Sequence, residues 1–272
     1  MRLSIITINR NNAAGLEKTL QSVANQTYKE FEYIVVDGAS TDNSVEFIRQ
    51  CAPKFAHLKW VSEPDSGIYN AMNKGIKMAT GEYIQILNSG DCLAAPDVVE
   101  KMLDALESTG NPHILYGNMI KKDYLTGKTT GKSGDVEYSL RQYYCSTMNH
   151  DCCYIRRDLF DTYGLYDENL KIVSDWKWFL QTIGLGNVKP FYVNIDVTVF
   201  DASGISESNL DLRNKERRQV LEDILPPAVL ADYDSNAFAV NQYHRLKKYH
   251  LWPIVYVVER VLFKLNKWHI LK

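Results

Sequence analysis

What this chain lacks narrows its function before any motif is read. Its five cysteines, Cys51, Cys92, Cys145, Cys152 and Cys153, are odd in number and show no CxxC or His-paired zinc spacing. Neither a disulfide scaffold nor a zinc module is expected; reduced thiols of a cytoplasmic protein are. Charge of neither sign prevails, because 31 basic against 33 acidic residues leave a formal net charge of −2. Without a basic field there is no electrostatic case for nucleic acid as a partner. No apolar run reaches the roughly 20 residues that a transmembrane helix needs. The opening MRLSIITINRNN turns polar after Ile8, too soon for the apolar core of a signal peptide, so export is not expected. No internal repeat is visible. Also missing is a G-x-G-x-x-G turn after the first apolar run, where Thr7-Ile8-Asn9-Arg10-Asn11-Asn12-Ala13-Ala14-Gly15 stands instead. That absence weighs against a nicotinamide oxidoreductase, whose pyrophosphate needs those glycines.

What is present is 272 residues, 45% hydrophobic, enough to bury a large core. Leu3 to Ile8 is a β-rich run broken by Asn9-Arg10-Asn11-Asn12, and Leu16, Leu20, Val23 and Ala24 then recur at helical spacing. Phe31 to Val36 is a second strand, closed by Asp37-Gly38-Ala39-Ser40; Asp42 or Asn43 caps a helix carrying Val45, Ile48 and Ala52. Lys59 to Ser62 reads as a third strand, Ile68, Met72, Ile76 and Ala79 as a helix face, and Tyr83 to Leu87 as a fourth strand. Pro96 opens a helix with Val99, Met102, Leu103 and Leu106 inward, and Ile114 to Tyr116 follows as strand. This alternation predicts an α/β fold with a mainly parallel central sheet covered by helices on both faces.

From Lys121 to Gly134 the pattern dissolves into a run rich in Lys, Thr and Gly, which the sequence leaves open as a hairpin or a loop. Helical signals return at Arg157 to Tyr163 and Trp176 to Thr182, followed by a β-rich run from Val188 to Phe200. Residues 1–205 are read as one domain and 206–272 as a helical C-terminal extension. Within 246–272, aliphatic and Trp residues alternate with Lys247, Lys248, Arg260, Lys264, Lys267 and Lys272, interrupted at Glu259 and Arg260. Such a segment suits a helix lying in a membrane interface, or one docked on the domain or on a second subunit.

Three carboxylates follow successive strands: Asp37 after the second, Asp65 after the third and Asp91 after the fourth. Parallel pairing brings these ends to one edge, where α/β sheets bind ligands. Converging negative charge needs hydrogen bonds or a cation to offset it, and Mg²⁺ or Mn²⁺ bridging a phosphorylated ligand would do so. Each aspartate taken alone reads equally well as a cap or turn former, which is the preferred reading for Asp42.

Several strings, in order, resemble the family 2 glycosyltransferases with the GT-A fold. Ile5-Ile6-Thr7-Ile8-Asn9-Arg10 resembles the family's opening strand, and Val35-Val36-Asp37-Gly38-Ala39-Ser40-Thr41-Asp42 its D-G-S-x-D segment. Glu63-Pro64-Asp65-Ser66-Gly67-Ile68-Tyr69-Asn70-Ala71-Met72-Asn73-Lys74-Gly75 is similar to the stretch that closes over the nucleotide. Leu87-Asn88-Ser89-Gly90-Asp91 stands in the place of the metal-binding D-x-D motif, with Asn88 and Gly90 where Asp is commoner. Val173-Ser174-Asp175-Trp176-Lys177-Trp178-Phe179 resembles the family's E-D motif, with Ser174 replacing Glu, and Ser203-Gly204-Ile205-Ser206 its Gly-Gly-x-Ser loop.

The resemblance, to bacterial capsule, exopolysaccharide and colanic-acid transferases among others, implies a GT-A catalytic domain. Residues 1–118 would be its nucleotide-sugar half and 119–205 its acceptor side. It implies donor binding by Thr7, Asn9, Arg10, Asp37, Ala39, Asp65, Gly67, Asn73, Lys74, Asn88 and Ser89, and a divalent metal, Mn²⁺ or Mg²⁺, on Asp91. Asp175 would be the general base of an inverting transfer, His150 would touch acceptor or sugar, and Ser203 and Gly204 would close over the pyrophosphate. The implied partners are a nucleotide-diphospho-sugar donor and a lipid-linked or glycan acceptor, with peripheral contact at the inner face of the cytoplasmic membrane through 246–272. A non-catalytic, membrane-recruited module that binds nucleotide sugar is the competing expectation. The sequence says nothing of oligomeric state.

Overall fold

The computed structural model describes residues 2–122, 129–135, 139–201 and 209–236, and positions 254, 257, 258, 260 and 262 of the remaining tail. The chain forms two compact units, Met1–Val220 and Leu221–Lys272. The first is built on one nine-stranded sheet.

Strands β1 (Leu3–Asn9), β2 (Glu32–Asp37), β3 (Leu58–Ser62) and β4 (Tyr83–Ile86) form its parallel part, in the order β3-β2-β1-β4. All residues of β1, β2 and β4 are buried, as expected where helices cover both faces. The crossovers are α1 (Ala13–Ala24), α2 (Ser44–Cys51) and α3 (Ile68–Met78). Asn12 caps α1, its Oδ1 accepting from Gly15 N at 3.1 Å. Leu16, Leu20 and Val23 lie inward, fully buried. Asn43 occupies the cap position of α2, while Asp42 accepts from Ser44 N and from Ala13 N of α1, joining two helix starts.

Beyond β4 the sheet becomes mixed. β8 (Cys153–Arg156) lies antiparallel between β4 and β6 (Ile114–Lys122), and β9 (Pro190–Phe200) runs parallel to β6. β5 (Cys92–Leu93) pairs antiparallel with the end of β9, Cys92 opposite Val199. β7 (Thr129–Lys132) returns antiparallel on β6, so the described part of the Lys-, Thr- and Gly-rich run is a hairpin. The strand expected over Ile114 to Tyr116 therefore extends to Lys122, carried past its apolar start by pairing on both edges. Helix α4 (Val98–Ser108) begins with Asp97 at its cap, two residues after Pro96, whose carbonyl instead accepts from Thr27 N at 2.7 Å.

Three shorter helices follow, α5 (Leu140–Cys145), α6 (Asp158–Tyr163) and α7 (Ser174–Phe179). A π-helical turn, Leu180–Leu185, continues α7. Helix α8 (Leu210–Ile224) ends the first unit and runs into the second, which is helical again over 227–236. Among the described residues, no helix is long and apolar enough to cross a membrane.

Glu32 locks the edge of the sheet opposite the strand ends that carry Asp37 and Asp91. It is 2% exposed, accepts from Ser4 Oγ at 2.6 Å, Thr80 N at 2.8 Å and Thr80 Oγ1 at 3.0 Å, and pairs with Lys59. Burial alone would raise its pKa, but Lys59, Ser4 and Thr80 together bring it from 4.5 down to about 2. A carboxylate with a depressed folded-state pKa stabilises above its unfolded value and ceases to as pH falls through the folded one. Glu32→Gln should therefore cost about 1–3 kcal/mol at neutral pH. Urea unfolding should show that difference persisting down to pH 4.5 and closing as pH approaches 2.

Candidate active site

The carboxyl ends of β1 and β4 and the stretch after β3 open onto a cleft of about 470 Å³, lined by residues including Asn9, Arg10, Asp65, Gly67, Tyr69, Asn88, Ser89, Asp91, His150 and Asp175. A second cavity of about 320 Å³ adjoins it across Asn88, Asp91, His150, Ile172, Asp175 and Phe200. These six residues therefore stand between two compartments.

The Asn88–Asp91 turn is pinned from below by α1. Thr19 Oγ1 donates to the Asp91 carbonyl at 2.7 Å and accepts from Gly90 N at 3.0 Å. Gly90 has φ +111°, a left-handed conformation that disfavours any side chain, and a β-carbon there would come within 3.2 Å of Asp201 Oδ2. This geometry accounts for glycine where the family's motif usually carries a second aspartate. Asp91 itself is 4% exposed, and its Oδ1 accepts from Asp201 N at 2.8 Å, an approach set by the β5–β9 pairing. Burial pushes its carboxyl well above the usual range, and the nearby charge of Asp151 adds to this.

Asp175 is the second residue of α7, with Val173 at the cap position. Its Oδ1 accepts from Tyr69 Oη at 2.8 Å and its Oδ2 from His150 Nδ1 at 3.1 Å. Burial opposes its ionisation, yet the hydrogen bond and charge of His150, with the Tyr69 hydroxyl, hold its pKa below the ordinary value. Burial would lower the pKa of His150, but Asp175, Asp151 and Asp91 raise it. With Nδ1–H given to Asp175, His150 Nε2 accepts from Asn88 Nδ2 at 3.1 Å. That arrangement leaves Asn88 Oδ1 buried without a hydrogen-bond partner.

An unpartnered carbonyl oxygen in the same turn as the Asp91 carboxylate, lining the same cavities, offers hard-oxygen donors of the kind Mg²⁺ or Mn²⁺ takes. Among the described residues no group of three or more His, Cys, Asp or Glu side chains could hold a metal ion. The donor set fits an ion that takes its remaining ligands from substrate phosphates and water.

The other residues expected at the site divide into two groups. Asn9, Arg10, Asp65, Gly67 and Ser89 line the cleft: Ser89 Oγ donates to Asn9 Oδ1 at 2.8 Å, and Arg10 lies 3.5 Å from Asp65. Gly67 has φ +148° at the start of α3. Asp37, Thr7, Asn73 and Lys74 lie behind or beside it. Asp37 is fully buried, accepting from Asn9 Nδ2 at 2.9 Å, Ser62 Oγ at 2.7 Å, and both Ser40 N and Ser40 Oγ. Thr7 Oγ1 meets Tyr33 Oη at 3.0 Å, and Asn73 bonds the Tyr166 backbone and Glu168. Lys74 pairs with Glu63 and donates to the Pro64 carbonyl. Ala39 has φ +56° and an exposed side chain in the turn after Asp37. Of the two arginines before α6, Arg156 binds Asp158 and Arg157 the Gly81 carbonyl. Ser203 and Gly204 lie outside the described residues.

Sequence reasoning passed over Tyr69, Asp151 and Asp201 as site residues. Tyr69 lies inside the most distinctive string, and its phenol is the one partner of Asp175 that string supplies. Asp151 follows His150 directly, its Oδ2 accepting from Thr198 Oγ1 at 2.7 Å. Asp201 gave no local signal, since only the β5–β9 pairing brings it to Asp91.

A mixed sheet whose parallel strand ends open onto a two-chambered, carboxylate-lined cleft defines an α/β protein with a ligand site at the carboxyl edge of its strands. Residues 4–164 match the Glycosyl transferase family 2 profile. An uncharacterised glycosyltransferase of Mycobacterium tuberculosis strain H37Rv is 34% identical over 206 residues, 75% of this chain and 76% of that one. A PGL/p-HBAD biosynthesis glycosyltransferase of Mycobacterium bovis strain BCG is 28% identical over 210 residues, 76% of this chain and 80% of that one. The chain belongs to the family 2 glycosyltransferases. Staphylococcus aureus TarS 1–349, solved with UDP-GlcNAc, superposes with a TM-score of 0.63 at 20% identity, covering 76% of this chain and 61% of that one. The mannosyltransferase PcManGT of Pyrobaculum calidifontis, solved with GDP-Man and Mn²⁺, gives 0.63 at 19% identity, covering 87% and 69%. The fold is that of the GT-A transferases.

Tyr69→Phe removes one of the two side-chain donors to Asp175 and should raise the pKa of that carboxyl. A carboxyl-carbon NMR titration reads this directly; an unmoved Asp175 resonance would show that the phenol carries no electrostatic weight.

Proposed function

We propose that this chain is a metal-assisted inverting glycosyltransferase that moves a sugar from a nucleotide diphosphate to a hydroxyl of a lipid-linked or polysaccharide acceptor. The observation that carries this reading is the placement of Asp175: ionised, held by Tyr69 and His150, and set where two cavities meet opposite Asp91 and Asn88.

In this reading the nucleoside lies along Asn9, Arg10, Asp65 and Gly67. Asp37 and Ser89 fix Asn9 from behind and beside it, while Thr7, Ala39, Asn73 and Lys74 shape the wall. Asp91 and Asn88 would hold a divalent ion, which when bound offsets the negative charge gathering on the leaving diphosphate. The complex of PcManGT with GDP-Man and Mn²⁺ supports an ion in this role. The acceptor enters from the second cavity. Its hydroxyl proton passes to Asp175 as the oxygen bonds to the anomeric carbon, and the bond from that carbon to the diphosphate oxygen breaks on the opposite face. One displacement inverts the configuration. A depressed pKa keeps Asp175 ionised at neutral pH, and His150 orients it through Nδ1–H.

The catalytic part is read as residues 1–205. The extension 206–272 is read as a peripheral contact at the inner face of the cytoplasmic membrane, which exposed Ile254, Val257, Val258 and Leu262 at helical spacing support. The PGL/p-HBAD biosynthesis role in the name of the Mycobacterium bovis relative is in keeping with glycan or glycolipid assembly.

A thermal-shift screen of nucleotide sugars with and without Mn²⁺ should find a stabilising donor, since a ligand of the folded state raises apparent stability. With that donor, Asp175→Asn should lose about 10²–10⁴-fold in turnover while donor affinity stays. Asp91→Ala should lose at least about 10²-fold with the fold intact by circular dichroism. Donor binding without hydrolysis or transfer under any metal condition would instead make the chain a binding module.

A further inference from the structure

Residues 164–173, between α6 and α7, bring one basic side chain to the first cleft. Lys171 lines that cleft and not the second cavity, whereas Ile172 beside it lines both. The cleft is rich in acid. Asp65, Asp91, Asp175 and Asp201 line it, and the basic side chains among its described lining residues are Arg10, His150 and Lys171. Arg10 lies against Asp65, and His150 is bonded to Asp175 and Asn88. Lys171 is exposed, and its ammonium makes no hydrogen bond or ion pair among the described residues.

The acids nearest to it in the segment, and the one that packs on it from α8, are already engaged. Asp167 pairs with Lys177, and Glu168 accepts from Asn70 and Asn73, each at 2.8 Å. Glu216 of α8, 7% exposed, gives both carboxylate oxygens to the backbone, accepting from Lys171 N at 2.8 Å and Ile172 N at 2.9 Å. That contact anchors the lysine without neutralising it. Asn73 holds the other end of the segment, bonding both the N–H and the carbonyl of Tyr166. An ammonium on a flexible stem recognises phosphate as a point charge, so the place where its stem begins is what has to be fixed.

We infer that Lys171 is a further catalytic residue of the glycosyl transfer, its ammonium meeting the diphosphate of the donor and stabilising it as it leaves. This rests on the glycosyl-transfer reading of the cleft. A diphosphate brings more negative charge into a chamber lined by aspartates. As the bond to the anomeric carbon breaks, its electron pair goes to the diphosphate oxygen, where a fixed cation stabilises the developing charge. Lys171 keeps its proton throughout. The ion proposed at Asp91 meets part of that charge, and Lys171 is the described lining cation not already set against a carboxylate. Its absence from the second cavity separates it from the acceptor. Four residues before Asp175, it puts the group that receives the departing charge and the group that takes the proton on one anchored segment.

The test uses the full chain with Mn²⁺ and whichever of UDP or GDP binds it, beside the matching monophosphate, each titrated calorimetrically. Lys171→Met should weaken diphosphate binding at least about tenfold and leave the monophosphate unchanged. Release of nucleoside diphosphate from a saturating sugar nucleotide should slow about 10²-fold. Lys171→Arg, which keeps the charge, should lose less on both counts. The side chain is exposed and Glu216 grips only the backbone, so the unfolding temperature should not move. Equal losses for monophosphate and diphosphate would place Lys171 on the nucleoside, and undiminished release at saturating donor would leave it outside the reaction; either result overturns the inference. Diphosphate binding indifferent to Lys171→Met removes the inference alone. If the unaltered chain binds neither diphosphate, the glycosyl-transfer reading falls and this inference with it.

Discussion

Buried negative charge is the constraint on which this site depends. Asp91, Asp151, Asp175 and Asp201 come together beside the cleft, and His150 is the imidazole set among them. The consequences differ from one carboxylate to the next. Asp175 has two strong donors and stays ionised, while Asp91 has one backbone donor and is driven toward its protonated form. Groups whose environments separate their pKa values take separate roles. A carboxyl that burial disfavours as an anion regains its charge when a cation arrives, so the proposed roles of Asp91 toward a metal and of Asp175 toward a proton draw on one electrostatic difference.

Much of this arrangement was legible in the sequence because it is local. Strand runs ending in Asn9, Asp37 and Asp91 are read from apolar periodicity, and parallel pairing then puts their ends on one edge. Less legible was which side chains face the cleft. Asp37 follows its strand just as Asp91 does, yet Ser40, Ser62 and Asn9 surround it completely. A carboxylate at a strand end says where the chain turns, not whether solvent or a ligand reaches the oxygen. Asn73 shows the same limit, because its helix face was readable but its bonds to Tyr166 and Glu168 come from a segment more than 90 residues away.

The antiparallel insertion of β8 was not legible either. Nothing in Cys153–Arg156 distinguishes a strand running against its neighbours from one running with them, since Cys153, Tyr154 and Ile155 form a short buried run like those of the parallel strands. Its effect on the site is large. By turning the chain back between β4 and β6, it brings His150 and Asp151, just before the strand, to the same edge as the end of β4. Gln85 Nε2, in the middle of β4, donates to the Asp151 carbonyl at 2.7 Å and fixes that approach.

Gly90 and Asn88 then become consequences of packing rather than losses from a motif. A residue with φ +111° whose β-carbon would come within 3.2 Å of Asp201 disfavours an aspartate, and Asn88 has an imidazole for a neighbour, to which its amide nitrogen donates. An aspartate at 88 would add another charge to a cluster that already drives Asp91 toward protonation. It would also remove the amide that sets the His150 tautomer. The neutral amide leaves its oxygen unpartnered in the turn that carries Asp91 while its nitrogen holds His150, and through His150 the orientation of Asp175. One side chain thus couples the donor side of the cleft to the proposed base.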